Sequence, residues 1–197
     1  MSMHVAVAVS GRGSNLDALL RALGPDAPAR VVLVLSDRGE APALERAAGR
    51  GIPTMALRDP SDGREWLAAM ERHGIDLLVL AGYLKLVPAD VVARYRGRIL
   101  NVHPALLPAF GGKGMYGRRV HEAVLASGAR ESGATVHLVD EVYDRGAILG
   151  QARVPVLPGD DPDTLAARVL EVEHRLLPAV VLAAAVAGRP VPIPEPV

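Results

Sequence analysis

The sequence predicts an α/β fold, with a mainly parallel sheet covered by helices on both faces. Short, continuously apolar segments alternate with segments of helical periodicity, as in sheets whose strands are buried on both sides. A glycine-rich turn directly follows the first apolar segment, where such sheets commonly bind anions. Half of the 197 residues are hydrophobic, enough for the core of one larger domain. We therefore expect residues 1–197 to form a single Rossmann-like domain.

The first half of the chain contains the alternating elements of the parallel sheet. Their β-branched and leucine-rich segments predict strands, and Ser61 or Asp62 can cap the helix that follows them. The expected strands are 5–9, 31–35, 52–57, 77–80 and 98–102, and the expected helices begin near Leu16 and span 41–49, 65–72 and 88–95.

The C-terminal part changes character. A helix is expected at 118–125, and the alternating segments 134–139 and 148–156 predict an antiparallel pair of strands. Asp161 and Pro162 then begin a long final helix that runs to about residue 187. The proline-rich residues 190–197 are expected to be extended or frayed.

Composition excludes several classes of function. The formal net charge is zero, so no basic field favours nucleic acid. There is no cysteine, which excludes disulfides and thiolate metal sites and fits a cytoplasmic protein. The apolar run 179–187 is too short to span a bilayer, and the N-terminus lacks the pattern of a signal peptide. We expect no membrane or nucleic-acid partner.

Two chemically capable side chains lie at the end of the fifth expected strand. Side chains two residues apart point to the same face of a strand, so Asn101 and His103 emerge together before Pro104 ends the ladder. An amide can stabilise an oxyanion, and an imidazole can transfer a proton near neutral pH. The alternative is a strand-end histidine bonded to a carbonyl beside an asparagine that opens a turn.

The glycine-rich turn has the composition of a phosphate site. Gly11 and Gly13 let the backbone approach an anion at a helix N-terminus. Leu16 replaces the third glycine of dinucleotide-binding loops, and the Walker lysine is missing. A monophosphate is therefore the preferred ligand. The alternative is a tight turn in which Ser14 or Asn15 caps the helix.

The segment Asn-Val-His-Pro at 101–104, followed by Leu-Leu-Pro at 106–108, resembles the active-site segment of the folate-dependent formyltransferases. The resemblance extends over residues 5–178 and includes the glycine-rich turn. It implies transfer of the formyl group of 10-formyltetrahydrofolate to the amine of glycinamide ribonucleotide in purine (IMP) synthesis. It implies no metal and only small-molecule partners, in a monomer or homodimer.

The same resemblance assigns residues to roles. The acidic run 140–144 by itself fits a solvated loop, but the resemblance selects Asp144 as the carboxylate that keeps His103 protonated. It implies direct attack through a tetrahedral intermediate that Asn101 and the protonated His103 stabilise. The implied catalytic residues are Asn101, His103 and Asp144; the ribonucleotide-binding residues are Gly13, Ser14, Asn15 and Glu173; the folate-binding residues are Arg64, Leu84, Lys85, Leu86, Val87 and Asn101.

Some positions stay open or depart from the family. His137 either faces the site or is a satisfied buried histidine. Ala105 stands where the family often has serine, and Ala147 where it often has proline. The leucines near 84–87 also fit an ordinary core, and Glu173 also fits a solvent-facing helix position. The functional alternatives are a formyltetrahydrofolate hydrolase, another amine formyltransferase, or a non-catalytic nucleotide-binding module.

Overall fold

The computed structural model describes residues 2–194. The elements are, in chain order, β1 (Met3–Val9), α1 (Ser14–Ala22), β2 (Ala29–Ser36), α2 (Pro42–Ala48), β3 (Thr54–Ala56), α3 (Gly63–Arg72), β4 (Leu77–Leu80), α4 (Ala89–Arg94), β5 (Ile99–His103), α5 (Arg118–Ala126), β6 (Glu131–Leu138), β7 (Ile148–Pro155) and α6 (Pro162–Ala187).

One sheet has the strand order β3-β2-β1-β4-β5-β6-β7. The first five strands in this order pair in parallel, and β6 is antiparallel to both β5 and β7. The predicted fold class is thereby confirmed. The strand bounds differ locally, since β3 keeps only three residues and β6 begins three residues before the expected 134–139 segment.

Two apolar layers cover the two faces of the sheet. On one face, α1, α2, α5 and α6 pack on side chains such as Val7, Val79 and Leu100. On the other face, α3 and α4 pack on side chains such as Ala8, Leu78 and Ile99. Neighbouring strand residues alternate between the two layers, as the pleat of a strand requires. The strands are therefore buried on both sides, which explains their continuous hydrophobicity.

The first residues of three helices show which N-cap residues determine where each helix begins. Asp62 accepts a hydrogen bond from the Arg64 backbone, so the predicted cap of α3 is confirmed. Asp161 and Thr164 form a capping box that fixes the start of α6. In contrast, α1 begins at Ser14, two residues before the expected Leu16, and Gly13 is its N-cap without a side-chain cap bond.

The described part of the C-terminal tail is tied to the sheet. The backbone N–H of Ile193 donates to the carbonyl of Leu149 at 2.7 Å, and its side chain packs on the α6 layer. Residue 193 is thus not frayed, while the expectation for 195–197 falls outside the described residues. Within residues 2–194, no helix combines the length and apolar character needed to cross a membrane.

Candidate active site

A cavity of about 870 Å³ opens where the carboxyl ends of β4 and β5 meet the turn that follows β1. Parallel α/β sheets commonly bind ligands at this edge, because the loops diverge there. The walls come from Arg12 and Asn15, residues 82–87, Asn101 to Pro104, residues 112–117, the first residues of α5, His137, the 139–144 loop, and Asp163, Ala166, Ala167, Leu170 and Glu173 of α6.

The antiparallel pairing of β5 and β6 builds the polar centre of this cavity. Asn101 lies opposite His137, and His103 lies opposite Thr135. Directly opposite residues have side chains on the same face and in contact range. The Asn101 Nδ2 and His137 Nε2 atoms are 3.1 Å apart. His137, left open on sequence alone, therefore faces the site.

The ring of His103 is held by a backbone carbonyl. Its Nε2 donates to the Phe110 carbonyl at 2.8 Å, and its Nδ1 lies 3.7 Å from Asp144 Oδ2. Burial lowers the pKa of His103 below its usual value, and this outweighs the opposing effects of Asp144 and the carbonyl. Asp144 therefore favours the protonated ring, as expected, but burial opposes that form in the ligand-free molecule. Its side chain is only 4 % exposed, which explains why desolvation dominates.

Asp144 is positioned by its backbone and by three neighbours. Its φ of 54° is unusual for a residue other than glycine and aims the carboxylate inward. Oδ2 accepts the Gly112 N–H at 2.9 Å, and Oδ1 lies 3.4 Å from His137 Nε2. Burial raises the pKa of Asp144, but His137, the Gly112 N–H and His103 together lower it below its usual value. The carboxylate is thus ionised at neutral pH.

The loop after β5 is fixed by residues that sequence reasoning missed. Thr135 Oγ1 donates to the Ala105 carbonyl at 2.6 Å and accepts the Leu107 N–H at 3.0 Å. Gln151 Nε2 donates to the Leu107 carbonyl and to the same threonine oxygen, each at 2.9 Å. The sequence offered one indication of this role: Thr135 is a polar residue at a position of the alternating segment 134–139 that faces the interior. These bonds hold the segment that carries the Phe110 carbonyl.

A second polar pair lies at the α1–α6 end of the cavity. Asn15 Nδ2 donates to Glu173 Oε2 at 2.6 Å, across 158 residues of sequence. Both side chains are buried, and burial raises the pKa of Glu173 to about 7. Glu173 is therefore not a solvent-facing helix residue. Gly13 and Ser14 are not among the lining residues, although they flank Arg12 and Asn15.

The folate candidates divide into two groups. Leu84, Lys85, Leu86 and Val87 all line the cavity, and the Leu84 N–H donates to Ser10 Oγ at 3.0 Å. Lys85 Nζ lies 3.7 Å from Asp37 Oδ2. The structure does not bring Arg64 to this cavity, since its exposed guanidinium pairs with Asp62 at the start of α3. Arg64 lies in the first turn of α3, next to the N-cap residue Asp62, and the short distance between them favours this local ion pair.

Comparison with known proteins identifies the family to which the chain is similar. Residues 3–181 match the sequence profile of the family described as formyl transferase. The chain is 47 % identical over 185 residues to the chloroplastic phosphoribosylglycinamide formyltransferase of Arabidopsis thaliana, covering 90 % of this chain and 63 % of that protein. It is 46 % identical over 191 residues to the phosphoribosylglycinamide formyltransferase of Mycobacterium tuberculosis, covering 94 % and 86 %. The chain spans about three fifths of the length of the two chloroplastic relatives.

Solved structures of phosphoribosylglycinamide formyltransferases are similar to this chain over nearly its whole length. The phosphoribosylglycinamide formyltransferase from Brucella melitensis superposes with a TM-score of 0.85 at 43 % identity, covering 94 % of this chain and 96 % of that one. The corresponding protein from Anaplasma phagocytophilum gives 0.89 at 35 % identity, covering 95 % and 88 %. The match extends through both the parallel strands and the antiparallel pair, and the chain belongs to the formyl transferase family.

Proposed function

We propose that the chain transfers the formyl group of 10-formyltetrahydrofolate to the amine of glycinamide ribonucleotide, a step of purine synthesis. One observation carries this proposal: Asn101, His103 and Asp144 meet in a cavity that also reaches the buried Asn15–Glu173 pair. Such a cavity can hold two substrates with their reacting atoms beside the polar centre, which removes much of the entropic barrier to a bimolecular reaction.

Asn101 is proposed to stabilise the charge that develops on the formyl oxygen. Attack by the amine on the formyl carbon gives a tetrahedral oxyanion, which needs preorganised donors. The Asn101 amide lies on the cavity wall, half-buried, with one N–H toward His137 and a second available for the oxyanion.

His103 is proposed to move the proton from the amine to the leaving nitrogen. The Phe110 carbonyl occupies Nε2, so Nδ1 of the neutral ring is the atom that accepts the proton lost by the attacking amine. The resulting imidazolium has its Nδ1–H toward the Asp144 carboxylate, which stabilises it. The same proton then goes to the folate nitrogen as the carbon–nitrogen bond breaks, and the enzyme returns to its initial state.

The two substrates are assigned to opposite ends of the cavity. The ribonucleotide is proposed to lie at the α1–α6 end, with its phosphate at Gly13, Ser14 and Asn15 and with Glu173 beside its sugar or amine side. The folate is proposed to pack on the apolar residues Leu84, Leu86 and Val87, beside Lys85. Leu84 and Leu86 are exposed in the ligand-free molecule, which suits a binding surface. We propose a cytoplasmic monomer or homodimer.

The first experiment measures loss of the formyl group from 10-formyltetrahydrofolate with and without glycinamide ribonucleotide. Loss that requires the ribonucleotide, with an equal amount of formylated product, supports the proposal. Loss without an acceptor supports a hydrolase instead. Tight ribonucleotide binding without any formyl transfer supports a non-catalytic binding module. His103→Ala, with its fold checked by circular dichroism, is the control that ties the activity to this cavity.

A further inference from the structure

The Asn101 side chain can serve an oxyanion in only one of its two orientations. An amide has a donor end and an acceptor end of nearly the same shape, and only the N–H end stabilises negative charge. The proposed chemistry therefore requires something that fixes which end faces the cavity. The neighbour of the amide on the opposite strand is His137, which is 2 % exposed.

The tautomer of His137 follows from its other contact. Its Nδ1 lies 2.8 Å from the Leu138 carbonyl oxygen. A carbonyl can only accept a hydrogen bond, so Nδ1 carries the proton. In the neutral ring Nε2 then has no hydrogen and is an acceptor. Two groups lie near Nε2. The Asp144 Oδ1 atom at 3.4 Å has no hydrogen to donate, so the neighbour that satisfies this acceptor is the Nδ2 end of Asn101 at 3.1 Å.

We propose that His137 is a positioning residue that sets the orientation of the Asn101 amide. Its neutral Nδ1–H tautomer accepts one N–H of Asn101 and leaves the second N–H free for the formyl oxygen. This inference rests on the proposed function for its catalytic consequence. The orientation itself depends only on contacts in the ligand-free protein.

Protonation of His137 reverses this arrangement. In the imidazolium both ring nitrogens donate, and Nε2 then faces the Asp144 Oδ1 atom at 3.4 Å. The Asn101 amide has to turn its oxygen toward the ring or lose the contact. The ionisable groups around the ring are Asp144, from the 139–144 loop, and His103, from β5. The proposed orientation of Asn101 therefore requires the neutral ring.

The two histidines of the site are expected to have opposite tautomers, and this is directly measurable. Nitrogen-15 NMR of the histidine-labelled, ligand-free protein near pH 8 distinguishes protonated from unprotonated ring nitrogens. We expect an Nδ1–H ring for His137 and an Nε2–H ring for His103. The signals are assigned by their disappearance in the variants His137→Phe and His103→Gln. An Nε2–H tautomer or an imidazolium at His137 overturns the proposal.

Kinetics then test whether His137 acts through Asn101. His137→Phe keeps a flat ring without an acceptor, and we expect it to lower kcat about tenfold with KM for both substrates little changed. His137→Gln places a carbonyl oxygen near the Nε2 position and is expected to retain most of kcat. In an Asn101→Ala background, His137→Phe is expected to cost nothing further. Independent, multiplicative losses, or an equal loss in His137→Gln, overturn the positioning role.

The two tests separate this inference from the proposed function. If the wild-type protein transfers no formyl group, the proposed function fails, and the NMR experiment still decides the tautomer and the amide orientation. If wild-type transfer is normal and His137 has the other tautomer, only the positioning role is wrong. Circular dichroism of His137→Phe excludes a folding defect, and His137→Gln gives a second variant with a polar side chain.

Discussion

Glu173 is a carboxyl group whose surroundings favour its neutral form. It is 7 % exposed, and it has a 2.6 Å bond from Asn15 and no charged partner among the described residues. Removing a carboxylate from water favours the protonated state, which is why its pKa rises to about 7. Near pH 7 this side chain is therefore present in both forms. A ligand that donates hydrogen bonds favours the ionised form on binding.

The raised pKa of Glu173 predicts a pH dependence of stability. The folded protein holds this proton up to about pH 7, whereas the unfolded chain releases it near 4.5. The stabilisation is complete below 4.5 and is lost as the pH rises to 7, by about 3 kcal/mol. Urea unfolding of the wild type and Glu173→Gln across this range is the measurement. We expect the free energy of unfolding of Glu173→Gln to rise by that amount relative to wild type. A constant difference contradicts the burial argument.

Asp144 has the opposite character, because its hydrogen-bond partners lower its pKa. Asp144→Asn keeps the shape of the side chain and removes the charge that is proposed to stabilise the His103 imidazolium during proton transfer. We expect kcat to fall about 100-fold or more, with KM less affected. Steady-state kinetics check this, with Asp140→Asn, another residue of the same loop and cavity wall, as the matched control. Similar losses in both variants argue against a specific role for Asp144.

The sequence predicts the chemical residues of the site better than their environment. Asn101 and His103 follow from strand alternation, and Asp144 follows from resemblance. The Phe110 carbonyl that fixes His103 Nε2 lies seven residues away in an irregular loop, where no periodicity applies. The partner of His137 depends on the β5–β6 register, which a single sequence does not specify. Arg64 has no local signal that distinguishes a binding arginine from one paired with its own helix cap.

At the level of the elements, the loop between β5 and α5 is closely packed at Gly111. A Cβ added at Gly111 would lie 2.5 Å from Leu107 Cδ2 and 3.2 Å from Asp144 Cβ. Real side-chain atoms do not approach so closely, so the buried Leu107 side chain or the loop has to shift, and Asp144 has to give way by a few tenths of an ångström. Because Gly112 donates to Asp144 and Phe110 accepts from His103, a movement of the loop reaches both of these side chains.

Gly111→Ala is therefore expected to reduce activity more than stability. Overpacking of this kind costs about 1–3 kcal/mol of folding free energy, and displacement of Asp144 is expected to lower kcat at least tenfold. Gly24→Ala is the matched control, because no atom lies within 4 Å of its added Cβ and its φ is not positive. The measurements are kcat and the thermal midpoint of both variants. An active Gly111→Ala enzyme shows that the loop adapts without moving the carboxylate.

The strands can be predicted from the sequence where most of their residues are buried. Strands β1, β2, β4 and β5 are covered on both faces, so their apolar runs identify them from composition alone. The prediction was less accurate at β6, where Glu131, Ser132 and Gly133 extend the strand without an apolar pattern. Pairing with β7 determines that extension, and pairing is a property of two segments together.

Over the molecule as a whole, the α1–α6 end of the cavity joins the N-terminal and C-terminal parts of the chain. Asn15 lies in the first turn of α1 and Glu173 in α6, the last helix, and their hydrogen bond connects the two helices. The capping box of α6 and the packing of both helices on one face of the sheet keep the pair aligned. A ligand bound there contacts α1 and α6 together, which are 158 residues apart in sequence at the Asn15–Glu173 bond.

Ribonucleotide binding is therefore expected to stabilise the entire molecule. At a concentration 100 times the Kd, mass action adds about 2.7 kcal/mol to the free energy of unfolding. For a chain of this length that corresponds to a rise in Tm of roughly 5–10 °C in differential scanning calorimetry, with one transition retained. Asn15→Leu removes the donor to Glu173 and is expected to abolish most of the shift, whereas Asn101→Ala, at the polar centre of the cavity, is expected to keep it. Equal shifts in both variants would place the ribonucleotide elsewhere, since only the first removes a contact assigned to it.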